Sequence, residues 1–311
     1  MTAKKHRTYP AKLPPGYLAP RYWGIWLGLG LSTLLGHLPR VLRRGLGRQL
    51  GKWVYRHKHK RRDIASLNVD WCFKHWPATR RENLVRDNFL YQGAAMADTG
   101  RYWWCSRECF ASNFRIQGEE HLAAAMSNGG RVIMVTLHTH GMDLGGLALS
   151  ARWPMVTYVN RMRNPLVEWI VAGRRGRFGG GVFTREEGMR PVIRALRAGR
   201  IFYYPVDEDA HRGEGEFAPF FGVAKYTHTA PFRLARISKA KIIPCATYYS
   251  EQERRYTVQI LPGLDGLPSG DHAADAARLN AAFEELVMLA PDQYTWGQRL
   301  FQTRPDGKRL Y

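Results

Sequence analysis

The stretch Arg131-Val-Ile-Met-Val-Thr-Leu-His-Thr-His-Gly-Met-Asp-Leu144 decides how the rest of the chain is interpreted. Its first seven residues follow Asn128-Gly-Gly130 and form a short β-branched apolar run, which is typical of a buried strand. Polar residues come next, then Gly141 and a helical pattern that begins near Asp143. A strand that passes through a tight turn into a helix is the building unit of an α/β sheet.

The same alternation of strand and helix patterns continues along the chain. Four further strand-like runs occur at residues 155–159, 201–205, 241–247 and 256–261. Helical patterns lie between them, at about residues 143–151, 165–175, 189–198, 228–238 and 273–289. This spacing predicts an α/β fold, a mostly parallel central sheet flanked by helices. Residues 210–222 are charged and contain glycine, so we expect a long mobile flap there.

His138 and Asp143 are the candidate catalytic pair. His138 ends the apolar strand, and functional groups gather at the carboxyl ends of strands in open α/β sheets. A carboxylate five residues later can turn back and accept a hydrogen bond from one imidazole nitrogen, which leaves the other nitrogen basic. The spacing therefore favours general-base activation of an alcohol. His140 lies beside the pair and is a candidate supporting residue.

Two other interpretations of these residues remain open. His-Thr-His after an apolar strand is similar to the start of a two-metal hydrolase site, but Met142 stands where that site needs an aspartate. We therefore predict no metal. The second alternative is a structural histidine whose hydrogen bonds are satisfied at the end of a strand.

Positive charge is concentrated at the N-terminus. Of the net charge of +21, residues 1–62 supply 15 Lys and Arg and no Asp or Glu, whereas the rest carries 32 basic and 26 acidic residues. This block surrounds an uncharged apolar stretch from Tyr22 to Leu38. We predict a membrane-anchoring helix that spans the bilayer or lies in its interface, with arginines on anionic headgroups. The predicted domains are thus 1–62, the basic anchor with an amphipathic helix, and 63–311, the catalytic domain.

Several segments, in order along nearly the whole chain, resemble the late, or secondary, acyltransferases of lipid A biosynthesis. His138-x4-Asp143 matches the motif that this family shares with the wider glycerolipid acyltransferases. The other matching segments are Arg61-Arg-Asp-Ile-Ala-Ser-Leu-Asn68, Asn160-Arg-Met-Arg-Asn-Pro-Leu166, residues 188–199, Asp207-Glu-Asp209, Phe217-Ala-Pro-Phe-Phe-Gly222 and Pro291-Asp-Gln-Tyr-Thr-Trp296.

The resemblance implies a reaction and its partners. An acyl chain would pass from acyl carrier protein to a hydroxyl of a 3-hydroxyacyl chain on a lipid A precursor, without a cofactor, at the cytoplasmic face of a bacterial inner membrane. His138 would remove the acceptor proton and Asp143 would steady the imidazolium. Arg161, then Arg163 and Arg190, are candidates for a sugar phosphate or the thioester oxygen. Asp207 and Asp209 are candidates for sugar hydroxyls, or for holding the loop around Arg212.

Other functions compete with this hypothesis. The acceptor can instead be a lysophospholipid or an amino lipid, since the site chemistry would be nearly the same. A noncatalytic membrane or nucleic-acid binding protein explains the basic N-terminus but not a His-x4-Asp motif at a strand end, so we expect no nucleic acid partner. A metallohydrolase requires the metal ligands that Met142 interrupts.

Overall fold

The structure is a computed structural model that describes residues 9, 12–159, 162–210, 213–308 and 310–311. The helices are α1 (Trp23–His37), α2 (Arg40–His57), α3 (His59–Cys72), α4 (Ala78–Tyr102), α5 (Arg107–Asn113), α6 (Glu119–Met126), α7 (Met142–Arg152), α8 (Pro165–Arg175), α9 (Arg190–Arg197), α10 (Ala230–Ser238) and α11 (His272–Leu289). The strands are β1 (Phe114–Gln117), β2 (Arg131–Thr136), β3 (Met155–Val159), β4 (Gly181–Thr184), β5 (Ile201–Pro205), β6 (Gly215–Phe220), β7 (Val223–His228), β8 (Ala240–Ser250) and β9 (Arg255–Ile260).

A seven-stranded sheet in the order β1-β9-β8-β2-β5-β3-β4 forms the centre of the described chain. Strands β8, β2, β5, β3 and β4 run parallel to one another, whereas β9 is antiparallel to β8 and pairs in parallel with β1. The prediction of a mostly parallel sheet flanked by helices is confirmed. The sequence patterns missed β1 and β4, which are four-residue strands at the two edges, too short to show a period.

Residues 215–222, within the segment 210–222 that was predicted as a mobile flap, form strand β6 and a hairpin turn and not an irregular loop, whereas their mobility stays a prediction. Strands β6 and β7 form an antiparallel hairpin that closes at Phe221 and Gly222, both with left-handed φ values of 49° and 74°. Two-residue hairpin loops of this kind usually begin with Asn, Asp or Gly. A phenylalanine in the first position conceals the turn in the sequence. His228 is the last residue of β7, so the following helix begins at Ala230 and not at residue 228 as predicted.

The N-terminal helices α1 and α2 lie against the long helix α4 through contacts between glycines. A Cβ atom built at Gly36 would lie 2.6 Å from the backbone carbonyl of Gly100, and one at Gly47 would lie 2.6 Å from the carbonyl oxygen of Gly93. Glycine at these positions allows the helix backbones to approach each other. The buried Arg43 and Arg44 side chains then bind the two oxygens of buried Asp98 on α4, at 2.8 and 2.5 Å.

The expected membrane anchor corresponds to α1, which is 15 residues long. Within the part of the chain that the structure describes, none of the helices has both the length and the apolar character needed to cross a membrane. The predicted boundary at residue 62 falls inside α3, and the division into two domains stays a prediction.

A candidate active site at the carboxyl edge of the sheet

Strand register brings His138 and Asp207 together. Thr136 at the end of β2 pairs with Pro205 at the end of the parallel strand β5. Both chains continue two residues past the sheet, which places His138 and Asp207 side by side. The imidazole Nδ1 lies 2.5 Å from Asp207 Oδ1, and the His138 backbone amide donates to Oδ2 at 2.9 Å. The carboxylate therefore fixes both the position and the rotation of the imidazole ring.

This geometry corrects the predicted pairing of His138 with Asp143. Asp207 accepts from the imidazole, and Asp143 instead forms an ion pair with Arg175 at the end of α8, at 2.6 Å. Asp143 lies in the first turn of α7, where a carboxylate is favoured by the helix dipole. The predicted role of Asp207 in binding sugar hydroxyls is likewise wrong, since the residue is 1% exposed and both of its oxygens bind His138.

Neighbouring charges shift the pKa values of His138 and Asp207. Burial lowers the pKa of His138, but Asp207, Glu208 and Asp143 outweigh it and raise that pKa to about 9. Burial raises the pKa of Asp207, and the opposing attraction of His138 and buried Lys225 leaves it below its usual value. Glu208 Oε1 lies 3.6 Å from His138 Nε2, the nitrogen that Asp207 leaves free. Nε2 is therefore the atom that can exchange a proton with a substrate.

Backbone contacts with residues 293–295 hold the loop after β2. Thr295 donates its amide to the His138 carbonyl, and the His140 amide donates to the Gln293 carbonyl, each at 2.9 Å. Burial lowers the pKa of His140 to about 4, so this residue is neutral at pH 7. Its Nε2 is buried without a hydrogen-bond partner among the described residues. His140 is a half-buried residue of this loop, and its supporting role stays a prediction.

A narrow, largely apolar pocket lies between α7 and strands β3, β4 and β5. Asp143, Arg175 and Pro205 are among its lining residues, and Asp143 and Pro205 are close in sequence to His138 and Asp207. From there it extends past Tyr203 along α7 to Ser150. It encloses about 460 Å³, its open mouth included, and most of its lining is apolar.

The other predicted substrate residues are more scattered. Arg161 lies outside the described residues, whereas Arg163 and Arg190 are exposed, at the start of the segment leading to α8 and at the start of α9. Asp209 accepts from the backbone amide of Thr303 at 2.7 Å, so its carboxylate holds the C-terminal segment and the predicted role in binding sugar hydroxyls is not supported.

Sequence reasoning missed two charged residues of the site. Arg175 was assigned only to a helix; it is the last residue of α8, and its long side chain extends from that helix end to Asp143 in the first turn of α7. Lys225 lies in the unpredicted hairpin, is 1% exposed and donates to the Glu208 carbonyl at 3.2 Å. The positions of Arg175 and Lys225 at the site depend on which helices and strands become neighbours in the fold.

Within the described residues, no group of three or more His, Cys, Asp or Glu side chains is arranged to hold a metal ion.

Comparison with known proteins identifies the family of the chain. The family model for bacterial lipid A biosynthesis acyltransferases matches residues 11–303. A lipid A biosynthesis acyltransferase of Haemophilus influenzae is 34% identical over 304 residues, which cover 97% of this chain and 95% of the relative. The lipid A biosynthesis palmitoleoyltransferase of Escherichia coli is 31% identical, over 94% of this chain and 95% of the relative. The lipid A biosynthesis lauroyltransferase of Escherichia coli is 30% identical, over 95% of this chain and 97% of the relative. The chain is an O-acyltransferase that belongs to the bacterial lipid A biosynthesis acyltransferases.

Proposed function

We propose that this enzyme transfers a fatty acyl chain from acyl carrier protein to a hydroxyl of a 3-hydroxyacyl chain on a lipid A precursor. Family membership supports the lipid A acceptor, and the acyl carrier protein donor is what the resemblance of the sequence implies. The observation that carries the chemistry is the 2.5 Å contact between His138 Nδ1 and Asp207, because it leaves Nε2 as the free nitrogen beside an apolar pocket.

His138 acts as the general base. Nδ1 donates its hydrogen to Asp207, so neutral Nε2 accepts the proton of the acceptor hydroxyl as that oxygen attacks the thioester carbonyl carbon. The new C–O bond forms, the C–S bond breaks, and the leaving thiolate takes the proton back from the imidazolium. Asp207 stabilises the imidazolium between these two transfers, as the carboxylate does in a Ser-His-Asp triad.

Arg175 stabilises the negative charge that develops on the thioester oxygen. Its guanidinium lies at the mouth of the pocket and is held there by Asp143. A fixed cation in a partly buried site is worth more than in water, because the surroundings do not need to reorganise during the reaction. Asp143 thus contributes as the residue that positions Arg175, and its negative charge also raises the pKa of His138.

The apolar pocket holds the acyl chain of the donor. Its walls are largely apolar, and Asp143 and Arg175 line it, so a chain inside it would present its thioester near these two residues. Exposed Arg163 and Arg190, together with Arg161, remain candidates for the phosphates of the acceptor, because guanidinium groups bind phosphate bidentately.

The enzyme works at the inner membrane with its catalytic domain on the cytoplasmic side. The exposed face of the N-terminal helices supports this location, because large apolar side chains on it face solvent: Trp23, Leu27, Leu31, Leu34, Val41, Leu42, Leu46, Leu50 and Trp53. Exposed apolar patches of this extent rimmed by basic residues mark membrane interaction sites. Helix α1 also packs on Leu166 and Ile170 of α8, the helix that carries Arg175.

Mass spectrometry of a purified reaction tests the proposal. Wild-type enzyme, acyl carrier protein loaded with a fatty acid, and a lipid A precursor that lacks the secondary chain should yield one added acyl ester. His138→Ala should abolish the product, and Asp207→Asn should reduce the rate about 10²- to 10⁴-fold, since it removes the carboxylate that sets the tautomer. Full activity in His138→Ala would overturn the mechanism. Acylation of a lysophospholipid in place of the precursor would overturn the acceptor.

A further inference from the structure

A second pocket lies where α1, α2 and α4 meet, and it shares no lining residue with the acyl pocket. It encloses about 660 Å³, its open mouth included. Its lining includes Gly36 and His37 at the end of α1, Arg40 and Arg43 at the start of α2, and Arg101 at the end of α4. The pocket is therefore open, roomy and basic.

The glycine contact between α1 and α4 creates this arrangement. Gly36 lies directly on the backbone of Gly100, so the residues that follow each glycine, His37 and Arg101, come to the same side of the crossing. Arg40 reaches the pocket from the first turn of α2. Three basic side chains on three helix ends thus face one space.

The charge in the pocket is not neutralised by its own walls. None of the described residues that line it is an aspartate or glutamate, and the described contacts include no carboxylate partner for Arg40 or Arg101. Arg40 donates one hydrogen bond to the backbone carbonyl of Arg254, which leaves its other N–H groups for an anion. Arg43 is different, since it binds Asp98 and donates to the carbonyl oxygens of Gly36 and Leu38. Those carbonyl oxygens lie at the C-terminal end of α1, and their partial negative charge would repel an anion. Because Arg43 binds them, this repulsion is reduced.

The pocket also lies at the junction of the two exposed apolar helix faces. Leu34 of α1 and Val41 of α2, 69% and 78% exposed, flank it in sequence on either side. A molecule that has both a phosphate and alkyl chains can bind here with its phosphate in the pocket and its chains along the helices. Guanidinium groups are the side chains best suited to grip phosphate oxygens.

We propose that this pocket binds the phosphate of an anionic membrane phospholipid. Arg40 and Arg101 form charge-assisted hydrogen bonds to the phosphate oxygens, and His37 lies beside them. The inference rests on the proposed membrane location and adds a defined headgroup site to it. The pocket thereby orients the protein on the bilayer, in addition to the general attraction of its basic N-terminus.

Vesicle flotation with paired variants tests the site. The variant Arg40→Gln/Arg101→Gln is compared with Lys52→Gln/Arg56→Gln, which removes the same charge from exposed positions of α2 outside the pocket. Vesicles are pure phosphatidylcholine, or phosphatidylcholine with a fixed fraction of phosphatidylglycerol. Both variants should lose the general attraction, about fivefold per charge. The pocket variant should lose about tenfold more, because it also loses direct hydrogen bonds to phosphate.

The outcomes separate the possible explanations. Equal losses in the two variants would overturn the pocket while leaving the membrane location intact. Wild-type protein that binds neither kind of vesicle would overturn the location itself. The lipid A precursor also carries phosphate, so the KM for the acceptor is measured in neutral detergent and should stay within about twofold of wild type. A large rise in that KM, with vesicle binding equal to the control, would assign the pocket to the acceptor and overturn the proposal.

Discussion

At the scale of single residues, the environment of His138 determines how the enzyme responds to pH. The imidazole lies against buried Asp207 on one side and within 3.6 Å of the half-exposed Glu208 carboxylate on the other. These negative charges favour the imidazolium, so the pKa of His138 is raised to about 9 and the ring carries a proton at pH 7. Only the small neutral fraction can accept the proton of an acceptor hydroxyl.

The rate of acyl transfer should therefore rise with pH and level off above about pH 9. Replacing Glu208 with Gln removes one of the charges that favour the imidazolium, which lowers the pKa of His138. The midpoint of the profile of kcat/KM against pH should then move to lower pH. Glu216→Gln, an exposed carboxylate on β6, is the matched control and should leave the midpoint in place. An unchanged midpoint in Glu208→Gln would contradict this role of His138.

At the scale of elements, the packing of α2 on α4 depends on backbone contact. Gly47 and Gly93 face each other without side chains, and the next turn of α2 contributes Gly51 to the same contact. The two buried arginines that bind Asp98 then close the interface, because an unpaired buried carboxylate would be costly. Helix α2 is therefore held against α4 by the close contact of the two backbones and by a buried ion pair.

Gly47→Ala should destabilise the protein by about 1–3 kcal/mol, because the added methyl group meets backbone atoms of α4 that cannot move aside. Gly45→Ala is the control two residues away. A Cβ atom there meets nothing within 4 Å, so alanine should stabilise the helix by up to about 1 kcal/mol. Chemical denaturation monitored by circular dichroism measures both values. Equal effects of the two substitutions would show that the helices do not pack through Gly47.

The acyl pocket provides a second prediction for an element. Ser150 lies two turns along α7 from Asp143, at the end of the pocket away from the catalytic residues. Ser150→Leu fills that end, so the kcat/KM for the longest donor used by the wild type should fall by about tenfold relative to shorter donors. Ala151→Leu is the neighbouring control outside this pocket. A uniform loss for all chain lengths would place the acyl chain elsewhere. Activity with donors of graded length is the measurement.

At the scale of the whole molecule, membrane binding should depend on the apolar face of the N-terminal helices. Leu27 and Leu31 are 76% and 56% exposed on α1. Leu27→Glu/Leu31→Glu should reduce the partition onto anionic vesicles by about 100-fold, because the protein loses two leucine side chains that would be buried in the membrane. Ile237→Glu/Met288→Glu changes two exposed apolar residues far along the chain, and it should have a smaller effect. Vesicle flotation measures the difference, and equal losses would place the contact elsewhere.

The sequence alone determined the fold class and the position of His138 at the end of a buried strand. The runs at residues 131–137, 155–159, 201–205 and 241–247 predicted four of the parallel strands, because strands covered on both faces are rich in apolar side chains, whereas the run at residues 256–261 became β9, which is antiparallel to β8. The short edge strands and the hairpin β6–β7 escaped prediction, since four residues show no period and Phe221 is an unusual turn residue. Local patterns reveal elements that are long and regular.

Which carboxylate meets His138 was decided only by the tertiary structure. Asp143 is close in sequence, yet it lies on α7 and binds Arg175, whereas Asp207 is 69 residues away and arrives through the pairing of β2 with β5. Strand order is set by the burial of whole sheet faces, which no local spacing records. The sequence therefore determined that a histidine stands at the end of a buried strand, and the packing of the sheet determined its partner, its charge and its free nitrogen.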